Sequence, residues 1–440
     1  MSYGNRDETR LEKETLRQSL SLEQRRLNAE SLELIWNTIN DTWYDPGFNG
    51  VDWEKAKVDY SSRLDSATTM NEARRVMSGM IDLLGVTHMA VIPEYYYGDE
   101  DRKDSPGFAM TGIFLRILDR HAVVTSVIKD SPADLAGVRP GWEVVRIDSV
   151  MAADQIERFT GYARLAFRED MILSWSVMEL MMGRSGTVVQ VEFEDGSGRT
   201  VVRDITLEQE AGKSFKFGHV PEFRIRFESE VLPGGIGYIG FNCFADPPFL
   251  MGRFNEAVTS MLDSNGIIID LRGNPGGVGG IAMGMAGWFT REKGLSLGRL
   301  MTRDTNLEMM INPRHNAFEG PVAILVDGLS GSASEFLAGG MQGLGMAKVF
   351  GTRTAGAALP SNMIMLPNGD RLQVVTANFI SSNGEPIEAR GVIPDRQVLL
   401  TRERLLEGGD EVLEAAVEWI GSQVRTGMRM EMNGYSNREE

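Results

Sequence analysis

Two turns rich in glycine and serine follow short apolar runs in the second half of the chain, and both are suited to presenting backbone amides. The first is GIIIDLRGNPGGVGG (266–280), where Pro275-Gly276-Gly277 lets the backbone turn sharply. In the second, PVAILVDGLSGSASEFLAGGMQ (321–342), an apolar strand ends and Ser332 opens a helix. A serine there has its hydroxyl at the positive end of the helix dipole, beside N–H groups that lack an intrahelical acceptor. Such amides can hold an oxyanion, so the chemistry on offer is nucleophilic attack on a carbonyl. The letters Ser332-Ala333-Ser334-Glu335 also spell a helix capping box, which is a purely structural role.

A serine nucleophile needs a base, because its free hydroxyl is weakly nucleophilic at neutral pH. The four histidines are His88, after Leu84-Gly85; His121, in an apparent strand; His219, after a Lys/Phe-rich loop; and His315, in the polar loop NPRHN. Lys348 falls in the apparent strand AKVFG, and Arg353 stays protonated in any ordinary setting. Asp270 and Arg272 read as a local ion pair bracing the first glycine turn.

Other chemistries find little support. There is no H-E-x-x-H pair, no cysteine–histidine ligand spacing and no P-loop, since no Lys-Ser/Thr follows Gly276-Gly277-Val278-Gly279-Gly280. No metal site and no organic cofactor are expected. Cys243 is the only cysteine, which leaves no intrachain disulfide. The net charge of −17 repels phosphate backbones and anionic bilayers, so neither nucleic acid nor a membrane surface is expected as a partner. The opening residues carry no apolar signal core, and no run of about 18 apolar residues follows.

The 440 residues are enough for about three domains, and 42% hydrophobic with 24% charged is globular composition. Residues 1–97 read as a helical region: a polar opening, helical spacing from Leu32, and a second helix starting at Asn71-Glu72 and stopped by Gly85. VTHMAVIP then reads as β-rich, and the charged stretch 97–107 as a linker. Residues 105–210 change to short strands with a helical stretch from Asp154 to Met182. Met171, Met178, Met181 and Met182 cluster there, either as core at helical spacing or as an adaptable groove lining. Residues 211–425 alternate apolar strands with helices, an α/β layer pattern, and 426–440 read as a tail. The fold class is therefore α/β in a multidomain α+β chain.

The segment SPADLAGVRPGWEVVRID (131–148) resembles a PDZ domain, with Trp142 where an aspartate is commoner. That resemblance implies a β-sandwich-like module whose groove takes an extended C-terminal peptide by strand addition. It would use the loop ending at Gly112, the strand from Ile113 and Phe114, and a helix bearing Met178. DLRGNPGG followed by SGSASE, behind such a module, resembles the S41 serine peptidases, the family of the C-terminal processing proteases and the tricorn protease. The resemblance implies a crotonase/ClpP-like core, with Ser332 as nucleophile and the amides of Gly277 and Ala333 as oxyanion hole. The processing proteases draw their base from a lysine where this chain has Ala357. The tricorn-like branch uses Ser-His-Ser-Glu instead. On that pattern His88 is the general base, Thr87 replaces the supporting serine, and Glu388, ahead of Gly391-Val392-Ile393-Pro394-Asp395, completes the relay.

The expectation is a serine endopeptidase acting on proteins or peptides through their C-termini. The alternative is an inactive S41-like scaffold that binds peptides through its PDZ module, a reading that rests on Ala357 and Thr87. Homo-oligomerisation is left open. A periplasmic or extracellular setting follows from the resemblance alone, without a signal peptide in this sequence. Adjacent residues of a regular strand face opposite ways, so Thr87 and His88 can cooperate only where the backbone is irregular.

Overall fold

A computed structural model describes residues 19–94, 108–163, 165–216 and 222–436. The charged linker 97–107 and His219 lie outside the described residues.

The core is a six-stranded sheet in the order 227–232, 236–241, 266–270, 322–326, 348–351, 396–397. Its first pair is antiparallel and the others are parallel. GIIID (266–270) and VAILV (322–326) are buried along their whole length, as continuous β-branched runs must be in a sheet covered on both faces. On one face the helices Pro247–Ser260, Gly279–Ala286 and Ala333–Gly343 enclose Phe254, Ile269, Ile324 and Leu337. On the other, helix Glu411–Ser436 buries Val412, Ala416 and Ile420 against Ile268 and Leu325. The tail expected from residue 426 continues this helix as far as Ser436.

Three helices, Leu22–Thr42, Trp53–Asp65 and Met70–Ile81, form the N-terminal layer. The third is capped by Thr69, whose side chain accepts the Glu72 N–H, so it begins slightly before Asn71. Gly85 ends the stretch in the left-handed region at φ 71°. This layer does not stand apart. Strand Ala90–Ile92 adds to the hairpin 361–365/371–375 with Ala90 opposite Gln373, and Ile35, Trp43 and Met80 share one core with Leu359, Leu372 and Val374. Asp370, fully buried at the hairpin turn, accepts from Arg74 Nε at 2.9 Å and Nη2 at 2.8 Å, and from the Glu94 N–H at 3.0 Å.

Between the two parts of the core, strands 113–118, 121–127, 143–147, 188–194 and 200–206 form an antiparallel sheet around a separate core containing Leu115, Val124, Ile147 and Phe193. The expected single helical stretch from Asp154 is two helices, Ala152–Phe159 and Glu169–Met178, because Gly161 takes φ 78° between them. Among the described residues, no helix is long and apolar enough to cross a membrane.

The Arg74–Asp370 pair fastens the N-terminal helices to the core hairpin. Asp370→Ala leaves that buried guanidinium and amide without this carboxylate and should lower stability by about 3 kcal/mol. Urea unfolding checks this, and a change below about 1 kcal/mol would mean the pair is well compensated.

Candidate active site

Ser332 sits at the N-terminus of helix Ala333–Gly343 with φ 52° and ψ −118°, a conformation sparsely allowed to a residue with a Cβ. Two acceptors take its amide: Ala357 O at 2.8 Å and Glu335 Oε2 at 3.1 Å. The tight turn has a partner that leaves room for it. A Cβ on Gly276 would lie 2.6 Å from the Ser332 Cβ and 2.7 Å from the Ala333 nitrogen, so only glycine lets the two turns approach this closely.

Asn274, fully buried, joins the turns. Its carbonyl accepts the Gly331 N–H at 3.1 Å and the Ser334 hydroxyl at 2.9 Å. Its side chain takes the Gly276 N–H at 2.9 Å and donates to Phe241 O at 2.8 Å. The amides of Gly277 and Ala333 flank this junction, and among the described residues neither donates a hydrogen bond. They are free to receive an oxygen.

Thr87 Oγ1 lies 2.9 Å from His88 Nδ1 and 2.9 Å from Glu388 Oε2, and the Thr87 N–H reaches Glu388 Oε1 at 3.1 Å. The facing problem is resolved because His88 takes φ 58° before the strand begins at Ala90, which turns both side chains the same way. Glu388 also accepts the Ala358 N–H at 3.0 Å and has Arg168 Nη2 at 3.6 Å. Since an ionised carboxylate only accepts, Thr87 donates its one hydroxyl proton to Glu388 and accepts from His88 Nδ1. The proton is thereby assigned to Nδ1, and Nε2 keeps its lone pair. No hydrogen bond joins Ser332 Oγ to the His88 ring; the two halves meet through Ala357, bound to Ser332, and Ala358, bound to Glu388. Burial, reinforced by the positive charge of Arg168, pushes the His88 pKa down to about 4.

No local spacing signals the grip of Glu335 on loop 354–357. This buried carboxylate accepts the Thr354 hydroxyl, the Gly356 N–H at 2.8 Å and the Ala357 N–H at 2.9 Å, besides Ser332. It thus does far more than close a capping box. Arg168 was equally illegible, since it reaches this loop from the middle unit: Nε donates to Ala355 O at 2.7 Å and Nη2 to Gly356 O.

The remaining candidates are dispersed. Lys348 is exposed and pairs with Asp395 at 3.5 Å. His121 is on the surface against Glu143 at 2.8 Å, and His315 is exposed in its loop. Arg272 does brace the first turn, holding Asp270 at 2.6 Å and Asp410 at 2.8 Å. In the middle unit Gly112 has φ 86° against Ser131, and Phe114 lies 5.4 Å below the Arg226 guanidinium. Ile113 and Met178, 4% and 1% exposed, are core and present no surface to a ligand in this arrangement. Met181 is core as well, whereas Met171 and Met182 are partly buried.

An α/β core that carries a serine at a helix start beside unpaired amides is the scaffold of a serine-type hydrolase. Residues 235–398 match the model of peptidase family S41, and residues 27–82 that of the tricorn protease C1 domain. The chain thus carries a peptidase family S41 match over residues 235–398. It is 26% identical over 374 residues to carboxyl-terminal-processing peptidase 3, chloroplastic, of Arabidopsis thaliana, covering 82% of this chain and 67% of that one. It is 24% identical over 346 residues to the carboxy-terminal processing protease CtpA of Bacillus subtilis, covering 78% and 66%. The chain thus spans about two thirds of the length of these relatives. The photosystem II D1 C-terminal processing protease shares the fold, with a TM-score of 0.57 at 20% identity over 92% of this chain and 99% of that one.

Burial pushes the Glu335 carboxyl from its ordinary 4.5 up to about 7, against the pull of four donors. The folded state therefore holds this proton more tightly than the unfolded chain does. Its stabilising contribution is complete below about 4.5 and lost as pH rises through about 7. Between pH 4.5 and 8 the wild type should lose roughly 3 kcal/mol relative to Glu335→Gln. His88 is displaced in the opposite sense, but it is present in both proteins and cancels in the difference. Urea midpoints across that range test this; a flat difference would show that the donors fully offset burial.

Proposed function

We propose that this chain is a serine endopeptidase that cleaves protein or peptide substrates through an acyl-enzyme. The observation that carries the reading is the His88–Thr87–Glu388 relay, which leaves Nε2 unprotonated in the same site as Ser332 and two unpaired amides.

In the reaction Ser332 Oγ attacks the scissile carbonyl as His88 Nε2 takes its proton. Negative charge gathers on the carbonyl oxygen and is held by the N–H groups of Gly277 and Ala333. Glu388, through the Thr87 hydroxyl, holds the imidazole in orientation and stabilises the imidazolium that forms. His88 then protonates the leaving amine, and water, deprotonated by the same nitrogen, releases the acyl group. The missing Ser332–His88 hydrogen bond requires the two halves to draw together when substrate binds, as is common for catalytic contacts in free enzymes.

We read residues 105–210 as the PDZ domain, the N-terminal layer 1–97 as the part that contributes His88, and 211–425 as the peptidase core. The PDZ reading is supported by strand Ile113–Leu118, which lies at the edge of its sheet beside helix Glu169–Met178. Peptide addition along that edge would bring substrate C-termini to the molecule.

A fluorophosphonate probe should label the wild type and fail on Ser332→Ala and His88→Ala, while Lys348→Ala labels normally. Ser332→Ala and His88→Ala should each lower kcat/KM by at least about 10³-fold. Thr87→Val should lose about 10²-fold and Thr87→Ser retain most activity, because serine preserves the bridging hydroxyl. Absence of labelling under every condition would favour the inactive peptide-binding scaffold.

The acid limb of the pH–rate profile should fall near pH 4, where His88 becomes protonated, instead of near the ordinary 6.5. Arg168→Met, which removes the adjacent positive charge, should move the limb upward. A limb near pH 7 that vanishes in Glu335→Gln would transfer that control to the buried carboxylate and overturn the assignment.

A further inference from the structure

Loop 354–357, which grips Ser332, starts at a cation that no carboxylate in the described structure neutralises. The Arg353 guanidinium stacks 3.8 Å over the Phe167 ring, and its Nε donates to Arg390 O. Its two Nη groups donate to nothing among the described residues. Two more arginines stand close by, and each has its own partner: Arg168 faces Glu388 at 3.6 Å, and Arg390 faces Glu385 at 3.6 Å. Partial burial, followed by the positive charges of Arg390 and Arg168, holds the Arg353 pKa below the ordinary arginine value. In a chain of net charge −17, this is a local excess of positive charge one loop away from the candidate nucleophile.

Packing alone does not account for that arrangement. Stacking uses one face of the guanidinium and Nε one edge, which leaves the remaining donors in the fork that matches a carboxylate. An anion in that position would also relieve the repulsion among the three arginines.

We propose that Arg353, supported by Arg390, is a specificity residue that pairs with a carboxylate of the bound peptide. This rests on the peptidase reading and sharpens it: despite the acidic protein as a whole, substrates that place a carboxylate here are favoured. The carboxylate has two sources, the C-terminus of the peptide or an aspartate or glutamate side chain.

Three matched peptides test it: one with a free C-terminal carboxylate, its amide, and a set of amides carrying glutamate at successive positions. Cleavage is measured for the wild type, Arg353→Gln and Arg353→Lys, and binding by fluorescence anisotropy in the Ser332→Ala background. The wild type should prefer one carboxylate-bearing peptide over the plain amide by about 10- to 100-fold in KM. Arg353→Gln should abolish that ratio and Arg353→Lys restore part of it. Preference for the free acid identifies the C-terminus, and preference for one glutamate position identifies a side chain. A loss in Arg353→Gln that is equal for acid and amide, or a wild type that does not discriminate, overturns the proposal and leaves Arg353 as a clamp on Phe167. Arg353-dependent binding to Ser332→Ala without cleavage by the wild type would sink the peptidase reading and spare this one.

Discussion

The site depends on one fully buried residue that carries no charge. Asn274 uses its backbone carbonyl for the loop that carries Ser332 and its side-chain amide for Gly276 and for the end of strand 236–241. Four donors and acceptors are satisfied at once around a fully buried side chain, where each unmade bond would cost about 1–3 kcal/mol. Because these bonds are mutually dependent, the two glycine turns cannot drift apart. The Gly277 amide stays unpaired because the bonds of this turn to Phe244 are made by Gly276 O and the Val278 N–H, and the Ala333 amide because it lies in the first turn of its helix, where no intrahelical acceptor exists.

On that fixed half the other half is docked through sheet addition. His88 precedes the module that interrupts the chain, whereas Ser332 and Glu388 follow it. Strand Ala90–Ile92 closes the gap by pairing with the core hairpin, and the buried Asp370 locks the hairpin turn to Arg74 and to the Glu94 amide. A left-handed residue at position 88, placed just before the strand, then decides which way the imidazole faces.

Electrostatics divides the site into a pocket that holds an uncharged imidazole and a positive rim. Burial keeps His88 uncharged and raises Glu335, while the arginines on the rim gather where the middle unit meets the loop around Ser332. Arg168 is the link: one guanidinium touches Glu388, Ala355 and Gly356, so the middle unit and the half that holds Glu388 share a charge. The overall acidity of the chain says nothing about this rim, because net charge averages over a surface that local packing has sorted.

Features set by neighbouring residues were open to reading from the chain alone. The two glycine turns, the strand and helix around Ser332, the Gly85 stop and the all-apolar strands depend on steric and periodic rules that act over a few positions, and their motifs point to peptidase family S41. The capping-box letters at Ser332 were legible too, but the same four residues permitted a structural cap or a nucleophile. Only the tertiary structure decided what surrounds them. It broke the helical stretch at Gly161, placed Met178 in the core, turned His88 toward Thr87, tied Asn274 to Gly276 and Ser334, brought Glu335 and Arg168 to loop 354–357, and set Phe167 under Arg353. Those outcomes turn on hydrogen bonds and burial between residues far apart in sequence, whose partners no local periodicity encodes.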